Sequence, residues 1–252
     1  MPMRIILMAV VIAAVACMAQ GQLWLDFGRA DGLVKPGYDQ FNLSAEKIQT
    51  ETQVIAGHSV TLTALADAGT VDPNGEPPTP NMESRDRQSK LTAPTSPDDN
   101  ILIDYIRAQT ALNVRWDVDP NVPQIPVLDI AVADLDALTE YEVRAGALDM
   151  SGSDGPNPQI LRPAGGTTGP SISWSWVKVE PTMDNEYSAV GMYTTDAAGV
   201  LNVQVAFDFA SADWEDRKAD PMAICSYLDI VPEPATLALL AMGSLAAVRR
   251  RR

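Results

Sequence analysis

The feature that most constrains the fold is a strict two-residue alternation of apolar and polar side chains, in stretches too short for helices. In Val200–Phe209, Leu201, Val203, Val205, Phe207 and Phe209 share one face, opposite Asn202, Gln204 and Asp208. A strand sends successive side chains to opposite sides, whereas a helix needs apolar residues three and four apart. The pattern recurs in Ser59–Leu65, with Val60, Leu62 and Ala64 facing in, and in Ala111–Val118, with Leu112, Val114, Trp116 and Val118 facing in. Leu23–Gly28 puts Leu23, Leu25 and Phe27 together, Pro36-Gly37-Tyr38 turns, and Phe41 and Leu43 follow. Tyr141–Leu148 is a further strand, Ile172–Val179 carries Trp174 and Trp176 on one face, and Ile224, Leu228 and Ile230 mark the last strand. Ile101–Ala108 reads either as a short helix capped by Asp98 or Asp99, or as a buried strand. Eight or more short strands separated by Pro/Gly turns predict an all-β chain, an antiparallel two-sheet β-sandwich. Residues 67–100, rich in Pro, Asp, Asn and Gly, read as a long loop or insertion.

The two ends obey a different pattern. Arg4 precedes twelve unbroken apolar residues, Ile5–Ala16, and small residues follow at Ala19 and Gly21. This is the layout of a secretion signal helix over residues 1–21, cut near Gly21 by signal peptidase after engaging the secretion machinery. A competing feature, Ala14-Val15-Ala16-Cys17, resembles a lipoprotein box, although it lacks the usual leucine three residues before the cysteine. At the other end, Pro232-Glu233-Pro234 leads into fourteen residues, Ala235–Val248, and then Arg249, Arg250, Arg251 and Arg252. As a helix the fourteen residues span roughly 21 Å, short of the roughly 30 Å of a hydrocarbon core, so crossing needs bilayer thinning or snorkelling arginines. The arginines hold their side in the cytoplasm and leave the residues before Val231 outside. Together, Pro-Glu-Pro, the apolar run and the arginine cluster resemble the PEP-CTERM sorting signal. That resemblance implies handling by exosortase, a membrane cysteine protease of bacteria that make extracellular polysaccharide. It makes residues 231–252 a sorting tail and residues 22–230 its cargo.

The formal net charge is -15. Setting aside Arg4, the four terminal arginines and Glu233 leaves the interior near -19, a surface that repels nucleic acid and anionic lipid and attracts divalent cations. Nucleic acid is therefore excluded as a partner. Of two cysteines, Cys17 falls in the signal segment and Cys225 in an alternating apolar stretch, so the mature chain has no disulfide framework and Cys225 reads as a buried thiol. His58, the only histidine, sits in Ala56-Gly57-His58-Ser59 and reads as an exposed turn residue. No Gly-x-Ser-x-Gly elbow accompanies it, and one histidine with one cysteine cannot build a His/Cys zinc site. The sequence thus assigns no catalytic residue.

Carboxylate-rich loops point to calcium, which takes six to eight oxygens. Asp117, Asp119 and Asn121 begin like an EF-hand loop, but Val122 and Leu128 stand where glycine and glutamate are required, so ordinary turn residues are the competing reading. Four of the five tryptophans read as core. Trp214, in the charged segment Ser211–Arg217, is the candidate for ligand contact.

The order of segments also resembles galactose-binding-like or malectin-like jelly rolls of bacterial carbohydrate-binding modules. The resembling pieces are Trp24–Gly28 with Pro36-Gly37-Tyr38, Arg85-Asp86-Arg87 before Ile101–Asp104, Leu138–Val143, and Thr195–Val200. The resemblance implies a jelly roll, adds Asp26 as a candidate structural-calcium ligand, and implies extracellular polysaccharide as partner. Two functions follow. One is a non-catalytic surface or matrix protein that binds or packs against polysaccharide. The other is a secreted carbohydrate-active hydrolase using carboxylates that the sequence does not single out.

Overall fold

Fourteen strands lie among the described residues. The computed structural model describes residues 22–28, 34, 37–45, 47–66, 80–86, 104–110, 126–147, 157–176, 187–208 and 222–233. In chain order these hold β1 (Leu23–Gly28), β2 (Asp39–Asn42), β3 (Thr50–Ile55), β4 (His58–Ala66), β5 (Pro80–Asp86), β6 (Asp104–Thr110) and β7 (Pro126–Val132). There follow β8 (Glu140–Gly146), β9 (Asn157–Pro163), β10 (Ile172–Trp176), β11 (Ser188–Thr194), β12 (Leu201–Phe207), β13 (Ala223–Cys225) and β14 (Tyr227–Pro232). The described residues contain no helix and are all-β, as the alternation predicts. The signal helix and the C-terminal apolar helix expected from sequence lie outside the described residues.

The strands form three sheets rather than two. A five-stranded sheet runs β11-β8-β14-β1-β2, a six-stranded sheet β10-β9-β12-β7-β4-β3, and a three-stranded sheet β13-β6-β5. All pairings are antiparallel except β1 with β2, which run parallel. One hydrophobic core joins residues from all three sheets. Its logic is visible in a single row of the six-stranded sheet, where Leu62 pairs with Ile130 and Ile130 with Val203, each with no exposed surface. Burying a side chain of this size contributes roughly 1.5–3 kcal/mol, so an alternating strand has only one favourable register.

The structure departs from the sequence reading at two places and decides between its alternatives at a third. The expected loop over residues 67–100 contains β5, whose segment PNMESRD offers only Met82 as an apolar signal. Met82 is fully buried and its backbone bonds Ile48 and Lys47 across the chain. Of the ambiguous stretch Ile101–Ala108, residues 104–108 belong to a strand, β6, held between β5 and β13, and residues 101–103 lie outside the described residues. The last strand is broken at Ser226, which donates to Gly146 and accepts from Phe27, so the chain passes from the three-stranded sheet into the five-stranded one. The alternating stretch Ala111–Val118, with Trp116, lies outside the described residues.

Candidate functional site

The inward residues of the five-stranded sheet leave a definite set on its other face. In β1, Leu23, Leu25 and Phe27 face the core, so Trp24 and Asp26 face away. In β14 the same rule turns Leu228 and Ile230 inward and Tyr227 and Asp229 outward, and in β8 it turns Arg144 outward. Register then assembles two rows. One runs Trp24, Asp229, Arg144 and Val190; the next runs Gln40, Asp26, Tyr227, Gly146 and Ser188.

Tyr38, from the turn before β2, closes over these rows. Its ring centroid lies 6.2 Å from Trp24 at an interplanar angle of 31°, and 6.5 Å from Tyr227 nearly edge-on. Tyr227 lies across Gly146, where a Cβ would stand 2.1 Å from the ring, so only glycine admits this arrangement. Burial is the main cause that raises the Tyr38 hydroxyl pKa, and its hydrogen bond to the Asp229 carboxylate adds to it. Tyr227 is pushed up to about 12, chiefly by burial, with Ser188 pulling the other way. Both phenols are therefore neutral at physiological pH. The result is a half-exposed indole beside a neutral phenol, with a carboxylate and a guanidinium in the same row. Aromatic faces of this kind stack on apolar C–H surface, and the flanking groups donate to or accept from hydroxyls.

The second site is where the fold meets the tail. Pro232, the last residue of β14, is buried and stands opposite Tyr141. Beyond it, the Glu233 amide donates to the Glu140 carbonyl at 3.2 Å. Two residues of the Pro-Glu-Pro motif thus belong to the sheet. Pro234 and Arg249, Arg250, Arg251 and Arg252 lie outside the described residues.

The other sequence-derived candidates fall as follows. Asp26 is only 1% exposed within the aromatic rows. Asp117, Asp119, Asn121 and Trp214 lie outside the described residues. Among the described residues no group of three His, Cys, Asp or Glu side chains is placed to hold a metal ion. Trp24, expected in the core with the other strand tryptophans, is 38% exposed, because it alternates with Leu23 and Leu25; Trp174 and Trp176 are buried as expected. His58 is buried rather than exposed, since it opens β4 on the same face as Val60 and Leu62. Cys225 is buried, its thiol donates to the Tyr227 carbonyl at 3.3 Å, and burial raises its pKa, so it is a structural thiol. Sequence reasoning missed Tyr38, Arg144, Tyr227 and Asp229. Arg144, Tyr227 and Asp229 occupy the positions between inward residues of their strands, but what joins them to one another and to Tyr38 is the sheet order, which no local pattern carries.

A family model described as the PEP-CTERM protein-sorting motif matches residues 231–252. No curated protein and no solved structure matches the chain. The matched tail marks a protein that is exported, sorted through its C-terminus and subject to processing by exosortase, a membrane protease. Among the described residues no helix is long and apolar enough to cross a membrane, and the apolar run 235–248 lies outside them.

Proposed function

We propose that this sorted, exported protein presents a non-catalytic β-sandwich of jelly-roll type to extracellular polysaccharide, through the outward face of its five-stranded sheet. The sorting part rests on the tail. The observation that carries the polysaccharide part is the exposed Trp24 indole set beside Tyr38 and backed by Asp229 and Arg144. A sugar ring offers an apolar C–H face for the aromatics and hydroxyls for the charged row, and a strongly acidic surface disfavours the polyanionic alternatives. On this reading exosortase-type processing places the protein at the cell surface or in the matrix, where the sheet face holds glycan.

The test is a glycan-array and calorimetry screen of the purified mature protein, in calcium and then in chelator. Saturable binding without release of reducing ends is expected, and Trp24→Ala should weaken it about tenfold, near the roughly 1.4 kcal/mol of a lost aromatic contact. Because the indole is half-exposed, the variant should keep the parent melting temperature. Unchanged affinity in Trp24→Ala would remove this face from the reading. Release of reducing ends would favour the hydrolase instead, and a chelator effect would bring back the calcium expected at Asp26, Asp117, Asp119 and Asn121.

A further inference from the structure

We propose that, before its tail is processed, the folded domain stands flush on the bilayer, with one particular end of its sheets held against lipid headgroups by the tail. The inference rests on the reading of residues 231–252 as a membrane-held sorting tail, and it adds which surface meets the membrane. The argument begins with distance. The last backbone hydrogen bond of the sheet is made by Glu233, and the apolar run begins at Ala235. Two residue steps span about 7 Å even when fully extended, at roughly 3.3–3.6 Å per residue. There is no stalk between the sheet and the membrane-directed segment.

The sheet topology fixes which end this is. β1 starts where β14 finishes, because Leu23 pairs with Ile230, so the chain also enters the fold at this end, directly after the signal segment. Four connections meet there: the β3–β4 turn at Ala56-Gly57, the link from β7 to β8, the link from β9 to β10, which bonds Asn202 and Thr194, and the link from β11 to β12. They are tied by Ala133 to Ser59, Leu135 to Gly199 and Leu138 to Asp196 backbone hydrogen bonds. The two most exposed large apolar side chains among the described residues, Val54 at 78% and Leu138 at 72%, both lie at this end. The same connections carry the exposed carboxylates Asp134 and Asp136. Their charge opposes spontaneous adsorption to anionic lipid, so the contact is imposed by the tether and should vanish when the tether is lengthened.

The experiment uses the mature full chain carrying Leu138→Cys, or Ala45→Cys at the opposite end, each labelled with an environment-sensitive fluorophore. Cys225 stays unlabelled because it is buried. The protein is reconstituted into phosphatidylethanolamine–phosphatidylglycerol vesicles containing a headgroup-attached quencher. Quenching at position 138 should exceed that at position 45 severalfold. Inserting twelve Gly/Ser residues between Pro234 and Ala235 should erase the difference while the protein still floats with the vesicles. Flotation with equal quenching at both positions overturns the flush orientation and leaves the sorting reading intact. Quenching unaffected by the insertion overturns the tether as its cause. A probe silent in vesicles but shielded in native membranes assigns this end to a protein and overturns the lipid contact. Failure to float at all overturns both the membrane-held reading and this inference.

Discussion

Gly199 shows how much of this fold rests on single backbone positions. It adopts φ of 76°, and a Cβ there would stand 2.2 Å from the Leu135 carbonyl oxygen, in a turn where Asp196 accepts from the Ala198 and Val200 amides. Gly199→Ala should therefore cost roughly 2–3 kcal/mol, combining the left-handed penalty with a displaced connection. Urea unfolding checks this: the midpoint should fall with the slope unchanged, while Leu138→Ala, at an exposed position, should stay within about 0.5 kcal/mol of the parent. In sequence Thr195–Val200 is only one of the segments carrying the jelly-roll resemblance; the structure makes it the link from β11 to β12, which lie in different sheets, and sets its glycine against a distant carbonyl. His58 teaches the complementary lesson. Carrying the alternation of Val60, Leu62 and Ala64 back by one step places it inward, and only its turn-like neighbours hid this.

Elements were legible in proportion to their apolar content. β4 and β12 follow the alternation read from sequence, whereas β5, with one apolar residue, gave nothing to read. What secures β5 is polar. Glu83 stands opposite Arg107 on β6, the two ionised groups meet at 2.8 Å, and their side chains are 7% and 15% exposed. Arg107 also reaches the Met222 sulfur, linking the pair to the segment entering β13. Removing one partner of such a pair strands a charge, so Arg107→Leu should destabilise by about 3 kcal/mol. Replacing both residues by leucine should cost clearly less than the sum of the single changes. A double-mutant cycle by chemical denaturation measures the coupling, and additivity would show that the ion pair contributes nothing.

At the scale of the whole fold, burial acts on four tyrosines in one direction. Tyr193 and Tyr227 are pushed up to about 12, and Tyr38 and Tyr141 are raised as well, in each case chiefly by burial. An unfolded tyrosine ionises near 10, so the folded chain holds these protons more tightly. The stability they contribute is complete below about pH 10 and is lost as pH rises toward 12. Absorbance at 295 nm should accordingly show delayed, cooperative ionisation coinciding with loss of the folded signal, whereas ordinary titration near 10 would contradict the burial. Strand order explains why the aromatic site escaped sequence reading. Tyr38, Tyr227 and Asp229 are brought together by β14 lying between β1 and β8, a neighbour relation that no local pattern encodes.

That placement sets a timetable for export. β14 joins the β1–β2 half of its sheet to the β8–β11 half, and its pairing of Ile230 with Leu23 closes a loop over nearly the whole described chain. A contact so distant in sequence forms late, since every intervening residue must be available first. If the chain is exported N-terminus first, it carries two unjoined half-sheets until residues 227–232 emerge, immediately ahead of the sorting tail. Completion of the fold and arrival of the address then become a single event.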